Sequence, residues 1–135
     1  MSAFLDSTPA LEVAVENVIG GRRYPIAGES LATVDTGYAG FMGMPSDAFE
    51  ELGFRELELD KRALVFANGE RTESEGSYAR LRIKESGDSV YGFVETWRGL
   101  DEVVMGTDAL SSFKLEVDYC LGLVSIQRCG GSRQP

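Results

Sequence analysis

The amino-acid sequence predicts an all-β fold, a compact barrel or sandwich with one or two short helices. Apolar and polar residues alternate with a period of two over several short segments, which is typical of half-buried strands. Turn-forming residues separate these segments at short intervals. No internal repeat, low-complexity segment or interdomain linker interrupts the 135 residues, so the sequence predicts a single domain.

The first part of the chain predicts strands followed by a helix. The alternation over residues 11–16 predicts a strand that ends before Gly20 and Gly21, and residues 30–34 predict a second strand that ends in a turn. Residues 40–45 form another short apolar segment. A helix is predicted over residues 46–53, because Asp47 and Glu50 have the spacing of a capping box and Gly53 is suited to end it.

The second part predicts two hairpins and a short helix. Asn68-Gly69 is a favoured two-residue turn, so it predicts a hairpin between residues 63–67 and a long strand that reaches residue 83. Further strands are predicted at residues 90–96 and 103–105, and a short helix at residues 107–112. The alternation from residue 113 to residue 126, around a Leu121-Gly122 turn, predicts the last hairpin.

Charge and composition exclude several classes of function. The net charge of −9 should repel phosphate backbones and anionic membranes, so neither nucleic acid nor a membrane is an expected partner. No apolar run approaches the roughly 18 residues of a spanning helix, and no signal peptide opens the chain, so the predicted compartment is the cytoplasm. The absence of histidine excludes catalysis by Ser-His-Asp or Cys-His and leaves carboxylates as acid–base candidates.

Neither a metal nor an organic cofactor is predicted. Cys120 and Cys129 are too few for a thiolate metal site; two reduced structural thiols are favoured over a disulfide, which stays open. Glu70, Glu73 and Glu75 lie along one predicted strand without the spacing of a calcium loop, which favours a charged solvent face.

Asp35-Thr36-Gly37 is the candidate catalytic element. An ionisable residue ends the apolar run at residues 31–34 and is followed by a hydroxyl group and a glycine. An aspartate at a strand end is also a common turn former, so the triplet alone does not identify a catalyst.

The surrounding sequence resembles retropepsin-like aspartic proteases, the retroviral type, from about residue 10 to residue 126. Residues 32–45 resemble the catalytic segment of that family, and residues 103–110 resemble its second signature of apolar residues, a glycine and a short helix. Residues 64–80 lie where the family has its flap hairpin. Viral members usually carry a paired acid and arginine near these signatures. Here those places hold Ala39, Gly40 and Thr107, so the sequence looks closer to the cellular and prokaryotic members.

The resemblance implies a closed acid-protease-type β-barrel with one lobe per chain. It places the protease domain at residues 10–128, after an N-terminal arm at residues 1–9 and before a flexible tail at residues 129–135. Since only one Asp-Thr-Gly is present and 135 residues cannot hold two lobes, the second catalytic carboxyl must come from an identical chain, which predicts a homodimer.

The implied activity is that of an aspartic endopeptidase. Two crowded Asp35 carboxyl groups would share one proton and activate water against a peptide bond. Thr36 would hydrogen-bond across the twofold axis, and Gly37 would let backbone and substrate approach closely. An extended polypeptide substrate would be covered by a mobile flap whose tip is formed by Ala67, Asn68 and Gly69.

An alternative remains open from sequence, a non-catalytic member of the same fold that serves as a dimerisation or peptide-binding module. The first candidate for the dimer interface is the C-terminal hairpin over residues 113–127. Its alternating apolar face exceeds what one small barrel needs.

Overall fold

The computed structural model describes residues 2–5, 7–54, 59–66 and 68–130. Two short helices and eleven strands are assigned in these residues. The helices are α1 (Ser46–Glu51) and α2 (Thr107–Leu110). The strands are β1 (Ser2–Leu5), β2 (Thr8–Asn17), β3 (Arg22–Tyr24), β4 (Ser30–Val34), β5 (Met42–Gly43), β6 (Asp60–Val65), β7 (Arg71–Ile83), β8 (Ser89–Trp97), β9 (Val104–Met105), β10 (Phe113–Asp118) and β11 (Leu123–Arg128).

Six of the strands close into a barrel. Strand β2 pairs with β4, β4 with β9, β9 with β5, β5 with β8, and β8 with β7. The ring closes where β7 returns to β2, with Val13 opposite Ile83 and Val15 opposite Leu81. The predicted all-β barrel with two short helices is therefore confirmed, and closure removes free strand edges from the ring.

The core is continuous through the barrel and is covered on one side by α1. In β2 the predicted alternation is present, because Leu11, Val13 and Val15 are buried, but Ala10 and Ala14 of the opposite face are buried as well. This strand is thus covered on both faces rather than half-exposed. Neither of the two described helices has the length and apolar character to cross a membrane.

Helix α1 lies where the sequence predicts it, but the predicted capping box does not form. The residue at the N-cap is Pro45, which makes no side-chain cap hydrogen bond, so the helix starts ahead of the position that Asp47 would have capped. Asp47 Oδ1 instead accepts a hydrogen bond from the Ala48 N–H at 2.9 Å. Gly53, with a φ of +74°, follows the helix end as expected.

The β6–β7 hairpin is present, but its turn is longer than the two residues predicted. Val65 pairs with Arg71, and the Phe66 N–H donates to the Glu70 carbonyl at 2.9 Å, so residues 67–69 connect the strands. The Gly69 N–H donates to the Phe66 carbonyl, and Gly69 has a φ of +86°. This is the pattern of a three-residue hairpin loop whose last residue needs the left-handed conformation, which explains the glycine.

The C-terminal hairpin lies beside the N-terminus, because β11 pairs with β10 on one side and with β1 on the other. Cys120 lies in the turn between β10 and β11, whereas Cys129 follows the far end of β11. A six-residue strand spans about 20 Å, so the two thiols lie too far apart to bond. Both cysteines are free, which settles the choice that the sequence left open. Residues 131–135 of the predicted tail lie outside the described residues.

Backbone hydrogen bonds lock the segment after β4 onto the segment after β9. The Asp35 N–H donates to the Met105 carbonyl at 2.9 Å, and the Thr107 N–H donates to the Tyr38 carbonyl at 2.9 Å. The Asp108 N–H reaches the Gly40 carbonyl at 3.1 Å. Close contact between the segments is possible because Gly106 has no side chain. A Cβ there would overlap the Gly40 carbonyl oxygen and lie 2.6 Å from that of Tyr38.

We therefore expect Gly106→Ala to lower the free energy of unfolding by about 2 kcal/mol or more, because backbone atoms cannot turn aside as a side chain can. Urea denaturation measures this as a lower midpoint at unchanged slope. Gly130→Ala is the matched control, since nothing lies within 4 Å of a Cβ at that position. Equal midpoints for both variants would show that the two segments are not locked together.

Candidate active site

Asp35 lies at the carboxyl end of β4, directly after the buried residues Ala32, Thr33 and Val34. Its own side chain is exposed. One carboxylate oxygen accepts a hydrogen bond from the Gly37 N–H at 2.9 Å, while the Asp35 backbone is held by β9. The fold therefore presents a fixed carboxylate to the surface of the single chain.

Thr36 and Gly37 are exposed beside Asp35. Within the described part of the chain the Thr36 hydroxyl makes no hydrogen bond, so it is available to a group outside this chain. A Cβ at Gly37 would lie 3.3 Å from Asp35 Oδ1, which is tight against the carboxylate. The structure thus brings the three predicted site residues together on one surface loop.

The next residue, the half-buried Tyr38, belongs to a polar cluster around the buried Glu95 that sequence reasoning missed. Its hydroxyl donates to Glu95 Oε2, and Glu95 in β8 is completely buried. Arg62 of β6 donates from Nε to Glu95 Oε1 at 2.7 Å and from Nη2 to Oε2, and Ser74 of β7 donates to Oε1. We call Tyr38, Arg62, Ser74 and Glu95 the Glu95 cluster.

A buried carboxylate is costly unless it is paired and hydrogen-bonded, and Glu95 meets both conditions. The Arg62 guanidinium contacts both carboxylate oxygens, which is the strong two-point geometry of this ion pair. The hydrogen bond to Glu95 raises the pKa of Arg62 above its ordinary value. Burial, followed by the hydrogen bond to Glu95 and its negative charge, raises the pKa of Tyr38 far above that of a free phenol.

Trp97 connects the Asp-Thr-Gly loop to the hairpin predicted as the flap. Its ring centroid lies 5.3 Å from that of Tyr38 and 6.1 Å from that of Phe66, the last described residue before the turn. Gly43 leaves the space that Trp97 occupies, because a Cβ there would lie 2.6 Å from the indole ring. The turn end of the hairpin is thus connected through Trp97 to the same loop that carries Asp35.

Of the predicted flap residues, Asn68 and Gly69 lie exposed at the hairpin turn, and Ala67 lies outside the described residues. Asn68 Oδ1 accepts a hydrogen bond from the Glu70 N–H at 2.9 Å, so the side chain of Asn68 shapes the turn. The structure places these residues on the hairpin and Asp35 on the barrel loop, with Phe66 and Trp97 between them.

One sequence signal pointed to the Glu95 cluster without identifying it. Glu95 is a charged residue between Val94 and Thr96, in a strand whose other central positions are apolar or small. Its partners are 33 and 57 residues away along the chain, which no local pattern reveals. Because Arg62 already neutralises Glu95, the carboxylate available for chemistry at this loop is that of Asp35.

Other features of the surface lie apart from this loop. A depression of about 410 Å³ is lined by Thr96, Trp97 and part of β7, and Asp35 does not line it. Among the described residues, no group of three or more histidine, cysteine, aspartate or glutamate side chains is arranged to hold a metal ion.

We expect Tyr38 to stay protonated at about pH 11, where exposed phenols ionise. Its raised pKa also means that the stability contributed by neutral Tyr38 is full below about pH 10 and declines above it. Tyrosinate absorbance of the folded protein measures the difference: Tyr38→Phe should leave the amplitude at that pH unchanged. A clear loss of that amplitude in Tyr38→Phe would contradict the half-buried position of Tyr38 and its hydrogen bond to Glu95.

No protein-family model matches the sequence. The protease of EIAV, solved in complex with the inhibitor HBY-793, superposes with a TM-score of 0.55 over 82% of this chain and 92% of that chain. At 13% sequence identity this likeness shows the fold alone, and the fold is retropepsin-like. An uncharacterized protein of Archaeoglobus fulgidus is 43% identical over 126 residues, which cover 93% of this chain and 98% of that protein. The chain therefore belongs to the family of this archaeal protein and carries a retropepsin-like fold.

Proposed function

We propose that the chain is an aspartic endopeptidase whose active site is completed by a second identical chain. The observation that carries this proposal is the exposed Asp35 carboxylate, held on a loop that β9 and the Glu95 cluster fix from two sides. A rigid, solvent-facing aspartate at this place in a retropepsin-like barrel is the arrangement that the chemistry needs.

The chemistry requires two carboxyl groups in contact, one ionised and one protonated. The ionised group takes a proton from water, and the protonated group hydrogen-bonds the carbonyl oxygen of the scissile bond. Water adds directly to the carbonyl carbon, so no covalent intermediate with the protein forms. Because Glu95 is committed to Arg62, the second carboxyl is that of Asp35 in another chain, related by a twofold axis.

The substrate class that fits the site is an extended polypeptide. Strand β6 pairs only with β7 among the described strands, so one row of its backbone groups is free to bond an added strand. The aromatic side chains of Phe66 and Trp97 line the space between hairpin and loop and offer apolar contact to substrate side chains.

The Asp35→Asn variant should lose at least about a hundredfold in cleavage rate, because an amide can neither take nor share the required proton. The measurement is the cleavage rate of an unfolded, dye-labelled polypeptide. Asp101→Asn, which changes an exposed aspartate outside the catalytic loop, is the matched control and should keep full activity. Equal cleavage by Asp35→Asn and wild type would remove Asp35 from the mechanism. Peptide binding without cleavage in the wild type would favour the non-catalytic module instead.

Mixing wild type with Asp35→Asn tests whether two chains share one site. If the chains exchange freely, half of the dimers in an equal mixture are mixed and carry a single aspartate, so about a quarter of the full activity should remain. Chains that act alone would retain about half. The same mixture made with Asp101→Asn should show no loss.

A further inference from the structure

We propose that the free edge of β10 is the surface through which two copies of this chain join. In this arrangement β10 of one copy pairs antiparallel with β10 of the other, about a twofold axis through Leu115. This surface would join the two chains that the proposed active site needs, so its role rests on the proposed function. The strand geometry that supports it is independent of catalysis.

Strand β10 ends the strand order of the sheet, and among the described strands it pairs with β11 alone. Edge strands are commonly protected by proline, by a bulge or by charged side chains, above all lysine, that no opposite charge balances on a partner strand. Strand β10 has no proline, and its pairing with β11 runs without a break from Phe113 to Asp118. Its lysine, Lys114, lies 3.1 Å from Glu116 on the same strand and is therefore paired.

The direction of the free backbone groups follows from the pairing with β11. The Cys129 N–H donates to the Ser112 carbonyl at 3.1 Å, so this pair is hydrogen-bonded, and hydrogen-bonded pairs alternate along an antiparallel ladder. Lys114 and Glu116 therefore turn their backbone groups toward β11. The Ile126 N–H, opposite Leu115, agrees with this alternation, because it donates away from β10 to Glu85 Oε2 at 2.8 Å.

Three residues of β10 are consequently left with N–H and C=O groups that point outward, and these are Phe113, Leu115 and Val117. Pairing about Leu115 places Leu115 opposite its own copy and Phe113 opposite Val117 of the second copy. Each of these pairs is then a hydrogen-bonded pair, so every free group of the three residues finds a partner.

The side chains are complementary in this same register. Lys114 falls opposite Glu116 of the second copy on the exposed face, twice by symmetry. Phe113 is buried and Leu115 and Val117 are half-buried, and these side chains lie on the other face, where apolar meets apolar. Ser112 falls opposite Asp118, which allows a hydroxyl-to-carboxylate hydrogen bond.

Neighbouring registers are disfavoured by charge. A twofold axis perpendicular to the sheet keeps each side chain on its own face, so each residue must pair with a residue of the same face. This is possible only if the axis passes beside one residue and its own copy. An axis through Glu116 places glutamate opposite glutamate, and an axis through Lys114 places lysine opposite lysine. The sequence from Ser112 to Asp118 thus specifies the axis at Leu115.

Charge reversal tests the interface without reference to activity. Lys114→Glu should face Glu116 with a like charge, and Glu116→Lys should face Lys114 with a like charge, so each variant should raise the dimer dissociation constant about tenfold or more. An equal mixture of the two variants restores both opposite-charge pairs in the mixed dimer. Sedimentation equilibrium should therefore give the equal mixture a dissociation constant near that of the wild type, whereas each variant alone should have a raised one.

Lys61→Glu is the matched control, because Lys61 is an exposed lysine 3.8 Å from Glu73 on the other edge hairpin. It should dimerise as the wild type does, and thermal unfolding checks that all variants are folded. A monomeric wild type, undiminished dimerisation of both charge-reversed variants, or failure of their mixture to recover would overturn the interface. If Lys61→Glu weakens the dimer and the two β10 variants do not, the interface lies at the β6 edge and the β10 interface is wrong.

The two proposals fail separately. If the charge reversals behave as expected but no polypeptide is cleaved, the interface stands and the proposed function fails. If cleavage depends on Asp35 while solution mass ignores both reversals, the proposed function stands and the β10 interface fails.

Discussion

The negative charge buried at Glu95 is the constraint on which the arrangement of the site depends. A carboxylate with no exposure is tolerated only where opposite charge and hydrogen-bond donors surround it. The donors come from three separate segments, since Tyr38 follows Asp-Thr-Gly, Arg62 belongs to β6 and Ser74 belongs to β7. Satisfying one charge therefore fixes the loop and the hairpin base relative to each other and to the barrel wall.

This cluster differs from the ion pair that is usual in viral members of the family that the sequence resembles. Viral members pair an acid after Asp-Thr-Gly with an arginine after the second glycine, and this chain has Ala39, Gly40 and Thr107 at those places. Here the two loops are joined by backbone hydrogen bonds, such as that from Thr107 to Tyr38, and the ion pair lies between β6 and β8 instead. In this chain the loop is restrained by these backbone hydrogen bonds and by the hydrogen bond from Tyr38 to Glu95.

Features set by neighbouring residues could be predicted from the sequence, and features set by distant contacts could not. Alternation identified β2 and the C-terminal hairpin, and the end of an apolar run placed Asp35 after β4, because strand period and turn chemistry are local. The catalytic role of Asp35 stays a prediction. The capping box was wrong because Pro45 occupies the N-cap, and the hairpin turn was one residue longer than Asn-Gly suggests. Glu95 stayed hidden because burial and partners depend on how the barrel closes.

The proton held by Tyr38 simplifies how any kinetics of this protein would be interpreted. A tyrosine near a reacting carboxyl group can act as a second acid. Here the raised pKa of Tyr38 keeps its phenol protonated at physiological pH. The chain also lacks imidazole altogether. Without imidazole, a side chain that changes protonation between about pH 5 and pH 7 would have to be one whose pKa is moved from its ordinary value, such as a carboxyl group in a crowded pair. An inflection in turnover within that interval can accordingly be ascribed to carboxyl chemistry without the ambiguity that histidine introduces in most hydrolases.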